Sequence, residues 1–182
     1  MQNKLIKICD EIDINPLLEC YYKLEPNIHW VDYPTTRQAG LQYRDGNDPL
    51  TDAVGSSDPN VVLPGWNGKK WIDKNEINLL YKNTIFEETI NQYNLFRTRL
   101  IWVKPYSCYS LHRDTSPRFH IPLVTNEECF FVFKDMPIYH MSVNKLYWAD
   151  TTYYHTFINC SSQPRLHIVS VAAIPGSSND TK

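Results

Sequence analysis

The chain has 182 residues, of which 42% are hydrophobic and 21% are charged, a composition that is ordinary for one globular domain spanning residues 1–182. Its formal net charge of −2 gives no long-range attraction to phosphate, so nucleic acid is not expected as a partner. No apolar run approaches the roughly 20 residues that span a bilayer, and the five cysteines form no CxxC pair. We therefore expect a cytoplasmic protein with reduced thiols and no membrane segment, while its oligomeric state is left open.

Residues 1–94 are expected to form an irregular part that contains short helices. Residues 4–12 carry apolar side chains at helical spacing, and Pro16 then interrupts the chain. Residues 83–93 predict a second helix, which begins with a Thr-x-x-Glu capping box. Between the two, residues 43–68 hold four glycines and three prolines and predict a long loop, either a plain connection or a lid.

From residue 95 the pattern changes to short, alternating apolar stretches separated by turn residues. Strands are expected at residues 95–104, 106–111, 118–124, 129–133, 138–143, 145–148 and 165–173. Short strands at this spacing favour an antiparallel sandwich or barrel, and therefore a mainly β fold. Residues 175–182 predict a flexible tail.

Two potential metal ligands, His112 and Asp114, stand two residues apart. In an extended segment such side chains emerge on the same face, so one metal ion can contact both. Chance supplies about 0.4 His-x-Asp triplets in a chain of this composition, so the motif alone is weak. His155 follows 41 residues after Asp114. Two histidines and one carboxylate on adjacent strands suit non-haem Fe(II), because coordination positions stay open for a cosubstrate and O₂.

Arg165 follows His155 by ten residues and opens the last predicted strand. A strand, a loop and a return strand would bring the two residues close together. A guanidinium inside a barrel needs an anionic partner. The distal carboxylate of 2-oxoglutarate would supply one through a bidentate contact.

Several motifs occur together in residues 95–173, and a vaguer similarity lies at residues 37–42. The motifs are Ser110-Leu-His112-Arg-Asp114, Arg118-Phe-His120-Ile-Pro-Leu123, Thr125-Asn126, His155 to Asn159, and Arg165-Leu-His-Ile168. In this combination the chain resembles the aspartyl/asparaginyl β-hydroxylase family of 2-oxoglutarate oxygenases, which includes free-proline hydroxylases. The resemblance implies a double-stranded β-helix, the cupin-like jelly roll, at residues 95–174, with residues 1–94 as its N-terminal buttress.

The resemblance also implies a dioxygenase that uses Fe(II), 2-oxoglutarate and O₂ and releases succinate and CO₂. It implies three catalytic iron ligands: His112, Asp114 and His155. By the same resemblance Arg118 and His120 help to bind 2-oxoglutarate around its C1 end, and Arg165 holds the C5 carboxylate. Some family members have glycine in place of the carboxylate ligand, whereas this chain has Asp114. The turn from Asp114 to Arg118 is shorter than in the animal enzymes.

Other histidines have competing interpretations. His120 alternates with apolar neighbours and also fits a packed core histidine. His167 shares the face of Arg165 and either lines the pocket or packs structurally. His29 and His140 are expected to be structural or surface residues.

The substrate is expected to be a small amino acid such as proline, or an Asp- or Asn-type side chain in a peptide or protein. Arg37, Gln38 and the loop at residues 43–60 are candidate substrate contacts. Two alternatives remain: a catalytically silent cupin-like binding domain, and a metal-dependent cupin that does not use 2-oxoglutarate. Arg118 and Arg165 argue against the second, because their charges would then lack an anionic partner.

Overall fold

The computed structural model describes residues 5–55 and 75–171. Within these ranges the helices are α1 (Asn15–Leu24) and α2 (Ile85–Gln92), with short 3-10 turns at Glu25–Asn27 and Leu79–Tyr81. The strands are β1 (Ile6–Glu11), β2 (Val31–Asp32), β3 (Thr36–Gly40), β4 (Gln42–Arg44), β5 (Asn75–Ile77), β6 (Phe96–Val103), β7 (Ser107–Cys108), β8 (Arg118–Val124), β9 (Cys129–Phe133), β10 (Ile138–Tyr139), β11 (Lys145–Ala149), β12 (His155–Asn159) and β13 (Arg165–Val171). Neither helix is long and apolar enough to cross a membrane.

The strands form a double-stranded β-helix, as predicted. The large sheet has the order β1-β11-β8-β13-β6-β3-β2, and the small sheet has the order β10-β9-β12-β7. Eight strands, β6 to β13, contribute four members to each sheet, and consecutive strands mostly cross from one sheet to the other. Among the described strands, all pairings are antiparallel. The result is a two-layer jelly roll whose interior lies between the inner faces of the sheets.

The large sheet extends beyond the predicted core range of 95–174. β1 pairs with β11 at one edge, and β3 pairs with β6 towards the other. The helix predicted at residues 4–12 is therefore wrong. Its apolar residues do not share one buried face, since Ile8 is 57% exposed. The edge of β11 offers backbone groups that a neighbouring strand can pair, and this tertiary pairing outweighs a weak helical pattern.

The helix α1 was not predicted, because Pro16 was interpreted as an interruption. Proline lies in the first turn of α1, where its missing N–H is not needed. The second predicted helix is confirmed as α2. The Thr84 hydroxyl accepts a hydrogen bond from the Phe86 N–H at 3.2 Å, and Glu87 accepts one from the Asn83 N–H at 2.5 Å.

The strands of the second half agree with the prediction in most places. β6, β8, β9, β11 and β13 coincide with the expected segments, whereas β7 and β10 are only two residues long. β12 was not predicted. Of the predicted loop at residues 43–68, the described part turns after β4 and is tied back by an ion pair between Arg44 and Asp52. Residues 56–68 of that loop and the predicted tail at 175–182 lie outside the described residues.

Alternation along the strands separates an apolar outer face from a polar inner face of the large sheet. Leu166 and Ile168 of β13 pack in the apolar cluster that includes α1 and α2. Arg165 and His167 alternate with these two residues along the strand, and their side chains point to the opposite face, into the interior. Because side chains alternate with a period of two, one strand builds both the core and the site.

Candidate metal centre and active site

His112 and His155 are brought together by backbone pairing between the segment after β7 and the start of β12. The two residues form an antiparallel bridge, with N–H to O distances of 3.0 and 2.8 Å between their own backbone groups. Asp114 is fixed in the same way, since its N–H donates to the Thr151 carbonyl at 2.7 Å. The potential ligand atoms of the three residues all lie within 4.8 Å of one another. The structure thus gathers the predicted ligands at one end of the barrel.

Both histidines have one ring nitrogen held by a backbone carbonyl. His112 Nδ1 lies 2.8 Å from the Ser110 carbonyl, and His155 Nδ1 lies 2.9 Å from the Tyr153 carbonyl. A carbonyl only accepts, so Nδ1 carries the proton in each ring, and in the neutral form of the ring the lone pair is on Nε2. Burial lowers the pKa of His155 to about 4, so its ring is neutral near neutral pH. Both rings are therefore prepared to bind a metal ion through Nε2.

Asp114 has one oxygen engaged and the other directed to the histidines. Arg118 Nη2 donates to Oδ1 at 2.9 Å, while Oδ2 lies 3.9 Å from His155 Nε2. Burial favours the neutral acid, but the positive charge of Arg118, the interactions with His155 and His112, and then the charge of Arg99 outweigh it and lower the pKa of Asp114. Asp114 is therefore an anion with one oxygen available for a metal ion.

A cavity of about 320 Å³ opens beside these three residues, between the two sheets. Its lining side chains include Gln38, Arg97, Arg99, Ile101, Tyr109, His112, Asp114, Arg118, His120, Phe131, Thr151, His155, Phe157, Arg165, His167 and Val169. All of the predicted site residues thus line one cavity. Of the predicted substrate contacts, Gln38 and Gly55 of the loop at residues 43–60 line the cavity, whereas Arg37 does not and pairs with Asp32 at 3.2 Å.

Arg165 is a buried cation in this cavity. Its Nη2 lies 3.2 Å from His167 Nδ1, and its guanidinium carbon lies 5.3 Å from the centre of the Phe157 ring. Among residues 5–55 and 75–171, no carboxylate lies within 4.0 Å of it. Burial lowers the pKa of Arg165 to about 10, so it still carries its charge near neutral pH. The cavity therefore provides a site for an anion at Arg165.

His120 lines the cavity instead of being enclosed in the apolar core. Neither of its ring nitrogens has a hydrogen-bond partner among the described residues. Its ring packs edge-on against Phe131, with centroids 5.5 Å apart, and against His167 at 5.9 Å. Burial and then the charge of Arg165 lower the pKa of His120 well below its usual value. A neutral, unpartnered imidazole is available to a polar ligand.

Two buried cations of the cavity were not identified from the sequence. Arg97 and Arg99 of β6 are buried and line the cavity. Arg97 has φ 49°, in the left-handed region, where β6 has one residue more than β13 between paired positions. Such a β-bulge redirects a side chain. The Arg-x-Arg pattern in an otherwise apolar strand could have indicated them, because residues two apart in a strand place their charges on the same side of a sheet.

Solved structures align with this chain at low sequence identity. An oxidoreductase of the 2OG-Fe(II) oxygenase family from Burkholderia pseudomallei aligns with a TM-score of 0.50 and 13% identity over 85% of this chain and 76% of that one. The structure of IDO from Bacillus thuringiensis aligns with a TM-score of 0.48 and 11% identity, over 96% and 92%. A chain in the complex of Rhodobacter sphaeroides SigE with the anti-sigma ChrR gives 0.43 and 11%, over 86% of this chain and 56% of that one. This chain thus spans little more than half of the Rhodobacter chain.

No curated protein has a significantly similar sequence. The sequence model of the family described as aspartyl/asparaginyl beta-hydroxylase, however, matches residues 62–172, which is more than half of the chain. That range contains all of the His, Asp and Arg residues expected to bind metal and cosubstrate. On this match, and with the jelly roll and the cavity as described, the chain belongs to the aspartyl/asparaginyl β-hydroxylase family.

Proposed function

We propose that the protein is an Fe(II)- and 2-oxoglutarate-dependent hydroxylase that acts on a C–H bond of an amino acid or of an Asp- or Asn-type side chain. The observation that carries this proposal is the cluster of His112, Asp114 and His155 in a cavity that also holds Arg165. Family membership supports the oxygenase class. Iron, cosubstrate and substrate are inferred from the chemistry of the lining residues.

The three-residue cluster fits Fe(II) better than structural zinc. Structural zinc sites are closed by four protein ligands, usually including cysteine. In the part of the chain that the structure describes, the cluster contains three His, Cys, Asp or Glu residues and no fourth. Two imidazoles and one carboxylate with open positions are the ligand set of non-haem Fe(II) oxygenases. Their Nδ1–carbonyl contacts orient the rings before any metal arrives.

The cationic and polar groups beyond the cluster fit 2-oxoglutarate. Arg165 would take its distal carboxylate, and His120 would offer a ring nitrogen to its polar end. When bound, Fe(II) and 2-oxoglutarate would supply the oxidising chemistry with O₂ as the oxidant: one oxygen atom would enter succinate as CO₂ is lost from the cosubstrate, and the other would be inserted into the C–H bond. The protein would hold the reactants in place in a cavity whose lining includes the apolar side chains of Ile101, Phe131 and Val169.

A substrate that carries a carboxylate is favoured by the charges that remain. Arg118 already pairs with Asp114, and Arg165 is assigned to the cosubstrate. Arg99 then keeps a positive charge, because burial lowers its pKa only to about 10, and no carboxylate of the described residues lies within 4.0 Å of it. Gln38 lies beside it and is held by the Gly55 N–H at 3.1 Å. The carboxylate of an amino acid or of an acidic side chain would neutralise the positive charge of Arg99.

Turnover of 2-oxoglutarate tests the proposal directly. Protein that is loaded with Fe(II) and 2-oxoglutarate in the absence of oxygen and is then exposed to air should release succinate. A panel of free amino acids and short Asp- or Asn-containing peptides should contain at least one compound that stimulates this release. The stimulated product should be one oxygen atom heavier by mass spectrometry. His155→Ala should abolish release, whereas His29→Ala, at an exposed histidine outside the cavity, should not. Folded, metal-loaded protein that never forms succinate would refute the proposal.

A further inference from the structure

A closed set of hydrogen bonds surrounds the turn from Asp114 to Arg118. Arg118 Nη2 contacts Asp114 Oδ1 at 2.9 Å, and Arg118 Nη1 donates to the carbonyl and the hydroxyl of Ser116 at 2.9 and 2.5 Å. The Thr151 hydroxyl donates to the same Ser116 carbonyl at 2.8 Å, and the Thr151 carbonyl accepts from the Asp114 N–H at 2.7 Å. Ser116, Arg118 and Thr151 are all buried. We call Asp114, Ser116, Arg118 and Thr151 together the Arg118 clasp.

The clasp commits both terminal nitrogens of Arg118 to protein atoms. One terminal nitrogen is directed to the carboxylate of Asp114 and the other to Ser116. The short turn makes this possible, since Asp114 and Arg118 are only four residues apart. The resemblance implied a different task for Arg118, contact with the C1 end of 2-oxoglutarate. The geometry instead directs this guanidinium at a metal ligand.

We propose that Arg118 is a positioning residue for the carboxylate ligand, holding Asp114 Oδ1 so that Oδ2 faces His112 and His155. This inference rests on the proposed function, because it assigns Asp114 to the metal. A carboxylate that is already held loses less rotational freedom when the metal binds, and partners of ligating groups contribute to metal affinity for that reason. Thr151 lies four residues before His155, so the clasp also joins the two segments that carry the ligands.

The direction in which metal affinity changes when Arg118 is removed shows whether Arg118 positions Asp114 or acts only through its charge. Arg118 is a cation close to a site for another cation, and like charges repel. If charge were its only influence, removal of Arg118 would strengthen metal binding. If Arg118 positions Asp114, its removal weakens metal binding in spite of the relieved repulsion. A contact with 2-oxoglutarate would instead change cosubstrate affinity and leave metal affinity alone.

The experiment uses Mn(II) as the probe, titrated by electron paramagnetic resonance without turnover. Arg118→Met should weaken Mn(II) binding by about 10- to 100-fold, the range typical for loss of a group that orients a ligand. Arg99→Met is the matched control, since it removes another buried cavity cation that makes no ion pair with Asp114. It should leave Mn(II) affinity unchanged or slightly higher.

A double-variant cycle shows whether Arg118 acts through Asp114. In an Asp114→Gly background, Arg118→Met should weaken Mn(II) binding no further, because the group it positions is gone. Equal weakening in both backgrounds would overturn the inference. Mn(II) affinity equal to or above that of the wild type in Arg118→Met, with weaker 2-oxoglutarate binding, would also overturn it and make Arg118 a cosubstrate contact.

Ser116→Ala and Thr151→Val keep the inference testable if Arg118→Met does not fold. Each removes one hydroxyl of the clasp and leaves both charges in place. Severalfold weaker Mn(II) binding in both would support the clasp, and wild-type affinity in both would contradict it. A wild-type protein that binds neither Mn(II) nor 2-oxoglutarate would refute the proposed function itself, and that outcome differs from failure of the clasp alone.

Discussion

At the scale of single residues, Arg165 carries a buried charge that no carboxylate of the described chain neutralises. Its neighbours are a neutral imidazole and the face of Phe157. A folded protein tolerates such a group when a ligand completes it. The role of Arg165 therefore distinguishes the two candidate functions, a 2-oxoglutarate-dependent enzyme and a cupin that binds only a metal ion.

Replacement of Arg165 should weaken 2-oxoglutarate binding selectively. Arg165→Met should reduce affinity by on the order of 2–5 kcal/mol, the usual effect of removing one partner from a buried charged contact. Arg165→Lys should restore only part of it, because an ammonium group cannot reproduce the planar fork of a guanidinium. Isothermal titration of the Mn(II)-loaded variants measures this. Unchanged 2-oxoglutarate affinity in Arg165→Met would remove the cosubstrate assignment while Mn(II) binding stayed intact.

The residues of the cavity were predictable to different degrees. His112 and Asp114 lie two residues apart, a spacing that puts both side chains on one face of an extended segment, and the family resemblance added His155 to them. Arg97 and Arg99 were not recognised, because a pair of arginines in a strand is usually exposed. Their burial depends on the bulge in β6 and on the pairing of that strand with β3 and β13. Such long-range pairing is not visible in local sequence.

At the scale of elements, strands whose sequence is rich in regularly placed apolar residues were predicted well, whereas short strands and strands with a polar sequence were not. β8 and β9 match their predicted bounds, since both faces of each contact other parts of the protein. β12, from His155 to Asn159, has a mixed pattern with a histidine, a threonine and an asparagine. Its strand conformation comes from pairing with β9 and β7. The strand that carries His155, the third of the proposed metal ligands, was therefore not recognised from the sequence.

The cap of α2 has a measurable effect on stability. Thr84→Ala removes the hydroxyl that accepts from the Phe86 N–H, and it should lower the free energy of unfolding by about 1 kcal/mol. Thr84→Ser keeps the hydroxyl and should retain most of the stability. Urea denaturation followed by circular dichroism measures both variants. Equal stability of Thr84→Ala and the wild type would show that tertiary packing alone determines where α2 begins.

At the scale of the whole molecule, three histidines inside the barrel link stability to pH. Burial lowers the pKa of His120, His155 and His167, and for His155 the value falls to about 4. The unfolded chain takes up protons near pH 6.5, but the folded protein does so only at lower pH. The unfolding free energy of the metal-free protein should therefore fall as the pH decreases from 6.5 to about 4. His155 alone contributes roughly 3 kcal/mol to this loss.

Denaturant titrations at a series of pH values measure this dependence. His120→Phe should flatten it, because one group that takes up a proton on unfolding is then absent. His29→Ala should keep the full slope, since that histidine is exposed. An unfolding free energy that stays constant from neutral pH to about 4.5 would contradict the buried, neutral state of these histidines.

The proposed metal ligands and Arg165 line one cavity, so we expect the binding of metal and of 2-oxoglutarate to be coupled. Coupling between two ligands is reciprocal, and the affinity for either can be used to measure it. The most direct test is the affinity for 2-oxoglutarate with and without saturating Mn(II), measured by isothermal titration without turnover. Mn(II) should increase that affinity by at least about tenfold, roughly 1.4 kcal/mol of coupling. Equal affinity with and without the metal, or no binding of 2-oxoglutarate at all, would contradict a shared site.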